Sequence, residues 1–593
     1  MMKYICNPMN IEYRYQFVES RNGMQIVREA ADPSLVMFKG QYYLFPSMAG
    51  GFYVSDDLAD WKFYPLKGAP AYDYAPDVRV LGEYLYFSAS NKDICSFYRS
   101  KDPIHGEFEE IRGTFSFWDP NLFADDDGRV YFYWGCSNVL PIYGVELDPE
   151  TMHPLGEPKG LFSVNDKENG FERYGENHVP SISQEEVEAQ ISYYVSANPG
   201  LTEEEIAVVR QYMTPAPFLE GPWMDKHEGK YYLQYAIPHT EDNVYGDSVY
   251  VSDSPLGPFT LAKNNPYSYK PGGFVTGTGH GSTMEDKHGN VWHTASVRLS
   301  VHCNFERRIG LWPAGFDHDG ELFCNQRYGD WPMRLEDVRK DQWEKPEWML
   351  LSYGKKVTAS SAEGDHLQEY AIDENMRTWW KAATNHSDEW LEVDLGENYD
   401  IHAVQVNFTD DGLDVPLPEG VSLKGEPDPR YIDMRQHYTR WLLEGSVDGE
   451  EYFVIEDKSE AQTDLPHDLI VRENGFKARY IRCTVKELPF AQNACISGLR
   501  VFGKGDGKLP ERVKEFDASL VTKLDLTVKW PAGDALGYNV LWGFACDKLY
   551  HSYLVYGKNE VQIGALIKGQ PVYVRIDAFN ENGITEGELR KIC

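Results

Sequence analysis

The chain has 593 residues, of which 42% are hydrophobic and 25% charged, an ordinary balance for a globular protein whose length holds three or more domains at about 100–200 residues each. Asp and Glu number 93 against 57 Lys and Arg, a net charge of −36, which repels phosphate backbones and anionic membrane surfaces and makes nucleic acid, lipid and acidic polymers poor partners. Neutral oligosaccharides or polysaccharides and other neutral small molecules remain.

The opening segment, "MMKYICNPMNIEYRYQF", lacks the apolar core of a signal peptide, and no stretch reaches the length of a membrane span. The nine cysteines are scattered and form no CxxC pair, as expected of free thiols in a reducing, cytoplasmic setting. An aromatic content of 14% favours β-structure.

From Asp32 onward one pattern recurs: "DPSLVMFKGQYYLFPS", "PDVRVLGEYLYFSAS", "DPNLFADDDGRVYFYWG", "EGPWMDKHEGKYYLQYA" and "GHGSTMEDKHGNVWHTA". Each copy has a small or acidic head, a short apolar run, a turn glycine (Gly40, Gly82, Gly128, Gly229, Gly289) and an alternating aromatic run, which reads as a β-hairpin. Further short strands follow most copies, so each unit supplies about four strands and five units make a five-bladed β-propeller. The interval between the third and fourth heads is much longer and holds the helix-patterned "SQEEVEAQ" and "TEEEIAVVR", expected as decoration outside the blades. The segment "YGENH" (174–178) reads as a solvated loop or a substrate loop.

Innermost propeller strands start near the axis, so the heads Asp32, Asp77, Asp119, Glu220 and His280 are expected to converge on one pocket. Several carboxylates meeting in an apolar-walled funnel shift one another's pKa values. Glycosidic hydrolysis with inversion needs one carboxylic acid for the leaving oxygen and one carboxylate to activate water from the opposite face. Separate blades can hold two such groups apart.

The ordered motifs "ADPS" (31–34), "YAPDV" (74–78), "DPNLF" (119–123), "EGPW" (220–223) and "GHGS" (279–282) resemble glycoside hydrolase family 43, the five-bladed propeller glycosidases, over residues 25–330. The resemblance implies that Asp32 is the general base, Glu220 the general acid, and Asp119 the carboxylate that raises and orients the acid. It implies no organic cofactor, and a hydrated calcium or sodium ion held near the axis by His280. Arg307, in "FERRIGLWPAG", resembles the family's arginine that binds a sugar hydroxyl, with a surface salt bridge as the alternative. Trp118 is expected to wall the pocket or to pack in the core. Tyr74 stands where family members often carry Trp, and Asp77 beside it is expected in a supporting role at the substrate.

Past about residue 345 the repeat stops. The pieces "DENMRTWW" (373–380), "WLEVDLG" (390–396) and "GSVDGEEY" (445–452) resemble the discoidin-like (coagulation factor type C) β-sandwich, a module that binds sugars in some proteins and braces a neighbour in others. Trp379 and Trp380 accordingly stack on a ligand or pack the sandwich. The last stretch, with Trp530 and "QPVYVRIDAFNENG", resembles a fibronectin type III sandwich. The expected organisation is all-β: a catalytic propeller over 1–345, a discoidin-like sandwich over 346–507 and a fibronectin-like sandwich over 508–593.

The function this implies is an exo-acting, inverting glycosidase on terminal furanose or pentose units, an α-L-arabinofuranosidase or β-D-xylosidase. A β-D-galactofuranosidase is the alternative, and a non-catalytic carbohydrate-binding propeller is the reading from another class.

Overall fold

The computed structural model of the protein describes residues 2–20, 23–70, 74–90, 94–180, 183–424 and 429–593. Five antiparallel sheets follow one another as blades I to V. Blade I holds Ala31–Phe38, Gln41–Ser47, Gly51–Ser55 and Lys62–Pro65; blade II runs from Asp77–Leu81 to Glu109–Phe115 and blade III from Asn121–Ala124 to Lys159–Phe162. Blade IV runs from Leu219–His227 to Thr260–Leu261 and gains the short strand Cys136–Ser137 from the blade III side; blade V ends with Arg307–Phe316 and Leu322–Cys324. The first turn of each blade uses its glycine in the left-handed region, Gly40 at φ 82° and Gly229 at φ 80° for example, where a Cβ would be strained.

The five heads share one backbone corner. Asp32, Ala75, Asp119, Gly221 and His280 have φ of 46°, 51°, 52°, 58° and 51°, a region costly for any residue but glycine. In four of the five heads the amide of that corner residue is held by a side chain of the preceding blade. The donors and acceptors are Asp32 to Ser296 Oγ (2.8 Å), Ala75 to Ser47 Oγ (2.8 Å), Asp119 to Ser90 Oγ (2.9 Å) and His280 to Asp247 Oδ1 (2.8 Å). In the fifth, the Gly221 amide lies 3.3 Å from Asp119 Oδ2.

Two residues further on, a second ring of contacts joins the blades. Asp77 accepts from the Leu122 amide at 2.7 Å and from Asn121 Nδ2 at 2.9 Å, Asn121 accepts from the Met224 amide at 2.8 Å, and Ser282 accepts from the Leu35 amide at 3.0 Å. Blades V and I share no strand among the described residues, so the Ser282 and Ser296 contacts help close the ring where the chain itself does not. Asn7 adds to the seal, pairing with both the amide and the carbonyl of Leu311 at 2.9 Å.

The two helices expected between blades III and IV are Gln184–Ala197 and Glu203–Met213, each opened by a capping box (Ser183 with Glu186, Thr202 with Glu205). No described helix is long and apolar enough to cross a membrane. The segment read as a solvated or substrate loop is an interdomain joint instead. Arg173 pairs with Asp525 at 2.6 Å, Asn177 accepts from Tyr553, and His178 is buried between the Arg173 carbonyl and the Tyr269 hydroxyl.

Beyond the propeller, residues from Met349–Leu350 to Cys495–Lys504 form one eight-stranded antiparallel sheet system over an apolar core containing Trp380 and Trp441. Trp380 is fully buried with its indole donating to the Ser361 carbonyl, and Trp379 packs between the rings of His366 and His302, so both tryptophans pack. The last domain is a sandwich of a three-stranded sheet (Asp517–Leu520, Leu526–Lys529, Glu560–Ile563) and a five-stranded one centred on Gly537–Gly543 and Tyr573–Asn580.

The N-terminal hairpin, Tyr15–Ser20 with Gly23–Arg28, pairs with Arg430–Ile432 from an excursion of the second domain rather than with a blade. Arg28, almost fully buried, is held there by Asp410 at 2.9 Å and Asp464 at 2.8 Å. The second domain is thereby locked onto the propeller.

Asp77→Ala strands the Leu122 amide and the Asn121 amide group inside the ring. It should cost about 2–6 kcal/mol at about 1–3 kcal/mol per buried group left unpaired. Urea unfolding of purified wild type and variant measures this, and an unchanged unfolding curve would contradict the structural role.

Candidate active site

At the axial mouth of the heads lies a cavity of about 320 Å³ lined by Asp32, Tyr74, Trp118, Asp119, Cys136, Phe218, Glu220, His239, Thr240, Glu241, His280, Asn304, Phe305 and Arg307. The corner residues of blades I, III and V (Asp32, Asp119, His280) point into it, and blade IV contributes Glu220, one residue ahead of its corner glycine. The His280 ring lies across Gly221, where a Cβ would sit 2.6 Å from Cδ2. Glycine is required at that corner for the ring to reach its place.

His280 Nδ1 faces all three carboxylates, at 3.4 Å from Asp32 Oδ1, 3.9 Å from Asp119 Oδ2 and 4.0 Å from Glu220 Oε1. Burial alone would push its pKa down, but the three carboxylates outweigh that and raise it. The ring therefore favours the imidazolium form.

Asp32 sits deepest. Its side chain is 4% exposed, accepts from Ser47 Oγ at 2.7 Å, and is gripped by Arg307 Nη1 at 2.8 Å and Nη2 at 3.2 Å. Burial would raise its pKa; Arg307, His280 and Ser47 together bring it below the usual carboxylate value. Asp119 is equally buried without an arginine. Burial pushes it up, the negative neighbours Glu220 and Asp32 add to that, and His280 only partly offsets them, leaving it at about 7. Two aspartates within reach of one imidazole are thus split into an anion and a proton carrier.

Glu220 is the most open of the three, with 15% of its side chain exposed against 4% for each aspartate. Cys136 Sγ donates to its Oε2 at 3.3 Å and the Tyr245 hydroxyl donates to its Oε1. Burial and the surrounding carboxylates keep that thiol and that phenol protonated, so both remain donors that aim Glu220.

Arg307 lines the cavity, yet its guanidinium is committed to protein partners. Besides Asp32 it pairs with Glu29 at 2.7 Å and reaches Thr240 Oγ1 at 3.4 Å. It grips Asp32 rather than standing free for a sugar hydroxyl. Arg308 points away, to the Arg28 carbonyl and His467. Trp118 and Tyr74 wall the cavity, with Tyr74 5.7 Å from the Phe305 ring.

Asp77, expected at the substrate, does not reach the cavity. Aligned on the left-handed corners, the residue of blade II that matches Asp32 and Asp119 is Ala75, and Asp77 matches Ser34 and Asn121 two positions on. Its oxygens serve the interblade contacts given above. The residue expected to hold an axial ion, His280, turns Nδ1 toward the three carboxylates. Glu29, Ser47, Ser90, Asp247, Tyr245 and Cys136 carry no motif that sequence reasoning could have seized on. Only their places at strand ends near the heads hinted at them.

A family model described as glycosyl hydrolases family 43 matches residues 26–177 and 180–322, and one described as F5/8 type C domain matches residues 356–416. The propeller belongs to glycosyl hydrolase family 43. A β-xylosidase of Xylanibacter ruminicola is 26% identical over 39% of this chain and 77% of its own length. A β-D-galactofuranosidase of Aspergillus niger is 23% identical over 43% and 69%, and a xylosidase/arabinosidase of Humicola insolens is 27% identical over 39% and 78%. Among solved structures, a glycoside hydrolase aligns with 80% of this chain and 97% of its own at 17% identity and a TM-score of 0.44. The protein is a glycoside hydrolase, its second domain carries the F5/8 type C fold, and family 43 chemistry needs no organic cofactor.

The split between the aspartates is directly measurable. In protein carrying 13C-labelled aspartate carboxyls, the Asp119 signal should titrate near pH 7, and the Asp32 signal should stay that of a carboxylate to below the usual range. Two aspartates titrating together near pH 4 would contradict the arrangement.

Proposed function

We propose that the protein is an exo-acting, inverting glycosidase that releases terminal furanose or pentose sugars from neutral oligosaccharides, with α-L-arabinofuranosidase or β-D-xylosidase activity. The observation that carries this reading is the pairing, across one cavity, of an arginine-held anionic Asp32 with the more open Glu220. Asp32 takes a proton from water as the water attacks the anomeric carbon, and Glu220 gives its proton to the leaving oxygen from the opposite side. Asp119 stores a proton beside Glu220 and orients it. His280, as imidazolium, offsets the three carboxylates and holds them in place; a hydrated calcium or sodium ion held beside it near the axis would add to that charge balance.

A cavity of about 320 Å³ suits a terminal sugar better than a polymer lying across a groove. Trp118, Phe218, Tyr74 and Phe305 offer flat apolar faces to the sugar ring. A β-D-galactofuranosidase is the second reading, favoured by the relative of that name; the exocyclic chain of galactofuranose would have to fit between those aromatics. The last domain is read as a fibronectin type III module, and both sandwiches as braces of the propeller. Oligosaccharides taken up into the cytoplasm are the proposed source of substrate.

A panel of nitrophenyl furanosides and pentosides, with natural oligosaccharides beside it, tests the reading. Asp32→Asn should lose about 10³-fold or more in kcat on every substrate. Glu220→Ala should lose about 10²–10⁴-fold on sugars with poor leaving groups and far less on nitrophenolates, which leave without a proton. No cleavage by the wild type would favour a non-catalytic binding propeller, and a Glu220→Ala variant equally active on poor leaving groups would remove Glu220 as the acid.

Proton NMR of the first-formed sugar should show the anomer opposite to that of the substrate. Retention there would overturn the single-displacement mechanism.

A further inference from the structure

The cavity and its aspartates belong to the propeller, but the charges behind them do not all come from it. Arg307, which grips Asp32, is itself anchored by Glu29 through Nη2 at 2.7 Å and Nε at 3.3 Å. Glu29 is 1% exposed, and its second oxygen accepts from Arg430 Nη1 at 3.3 Å. The same Arg430 nitrogen donates to Gln16 Oε1 at 3.0 Å, and the guanidinium lies 4.7 Å from the Tyr74 ring, a wall of the cavity. Arg430 is 4% exposed and begins the strand Arg430–Ile432, which the second domain sends out to pair with Tyr15–Ser20.

We propose that Arg430 is a positioning residue for catalysis, and that the F5/8 type C domain completes the propeller's active site through the buried chain Arg430–Glu29–Arg307–Asp32. The inference rests on the reading of Asp32 as the base.

The physical need is plain. A buried Glu29 with one cation would be shared unevenly between its own neutralisation and the anchoring of Arg307, and a buried ion pair holds only when every charge in it is met. With an arginine on each of its two oxygens, Glu29 is fixed. Arg307 then has one rigid partner on each side, so Asp32 is held in a single orientation toward the cavity. Removing Arg430 leaves the fold of the blade heads intact and loosens the support of the base. A misplacement of about 1 Å in such support costs about 10²-fold in rate.

The second domain is tied down independently of this chain. Arg28 with Asp410 and Asp464, and Arg500 Nη1 donating to the Asp330 carbonyl at 2.6 Å, lock it to the rest of the molecule. A change at Arg430 is therefore separable from loss of the domain.

The test uses the full-length protein with substrates that the wild type cleaves. Arg430→Met should lower kcat about 10- to 100-fold with KM moving less than about threefold, because the sugar does not touch Arg430. Arg430→Lys should recover part of that loss, since an ammonium in place of Nη1 can serve the Gln16 and Glu29 contacts. Glu29→Gln should lower kcat similarly, and the double variant Glu29→Gln with Arg430→Met should cost little more than the worse single one, the mark of residues acting through one path.

Multiplying losses in the double variant, a loss confined to KM, or a Met variant with wild-type kcat would each overturn the proposal. If Arg430→Met proves unstable in thermal melts, the Lys variant and the Glu29 cycle still decide. Failure of this inference is distinct from failure of the functional reading: an active wild type killed by Asp32→Asn but indifferent to Arg430→Met sinks only the relay, whereas activity surviving Asp32→Asn sinks the assignment of the base.

Discussion

Everything at the site depends on one strained backbone corner repeated five times. A left-handed residue at the start of an inner strand turns its side chain from the blade toward the axis, and a non-glycine residue adopts it only if the surroundings hold it there. In blades I, III and V a hydroxyl or carboxylate on the preceding blade takes the corner amide, which leaves the side chains of Asp32, Asp119 and His280 no choice but the cavity. The same contacts tie blade to blade. Architecture and chemistry are therefore one set of bonds, and blade II shows it by contrast: it keeps the corner with Ala75 and contributes no charge.

That convergence creates an electrostatic problem, which the structure resolves with unequal partners. Three carboxylates lining one cavity need cations if all are to be charged, and among the described residues Arg307 and the His280 imidazolium are at hand. Arg307 goes entirely to Asp32 and Glu29, so Asp32 stays an anion. Asp119 is left with a share of His280 and is pushed up toward neutral pH. The asymmetry between the two aspartates follows from which of them the arginine touches, since they have the same backbone setting and the same side-chain burial.

Much of this was legible in the sequence, for a physical reason. A blade needs a turn glycine and alternating apolar residues, and these recur visibly; the heads are recognisable because Asp-Pro pairs at strand starts are uncommon in such order. What misled was register. In "YAPDV" the carboxylate at Asp77 attracts attention, but the corner falls on Ala75, and a two-residue offset keeps Asp77 on the same face of the strand, so alternation alone cannot expose the slip. Arg307 was legible as a site residue but not as a clamp on Asp32, because its partner Glu29 lies in the link before blade I and carries no motif. The pairing of the N-terminal hairpin with residues 430–432 was invisible for a different reason: nothing local records a contact between segments some 400 residues apart in sequence.

The order of the domains along the chain also acquires a reason. The hairpin Tyr15–Arg28 leaves the propeller just before blade I begins, and Glu29 is the first residue after it. Whatever fixes that hairpin fixes the approach of the chain to Asp32, three residues later. A strand from the second domain supplies the third member of the hairpin's sheet, and buried Asp410 and Asp464 from the same domain neutralise Arg28 at its end. The entry to the first blade is thereby held from outside the propeller. A sandwich whose tryptophans are packed away still has work to do in such a protein, because Asp32 stands at a blade whose inner strand follows directly from a hairpin that the blades do not pair.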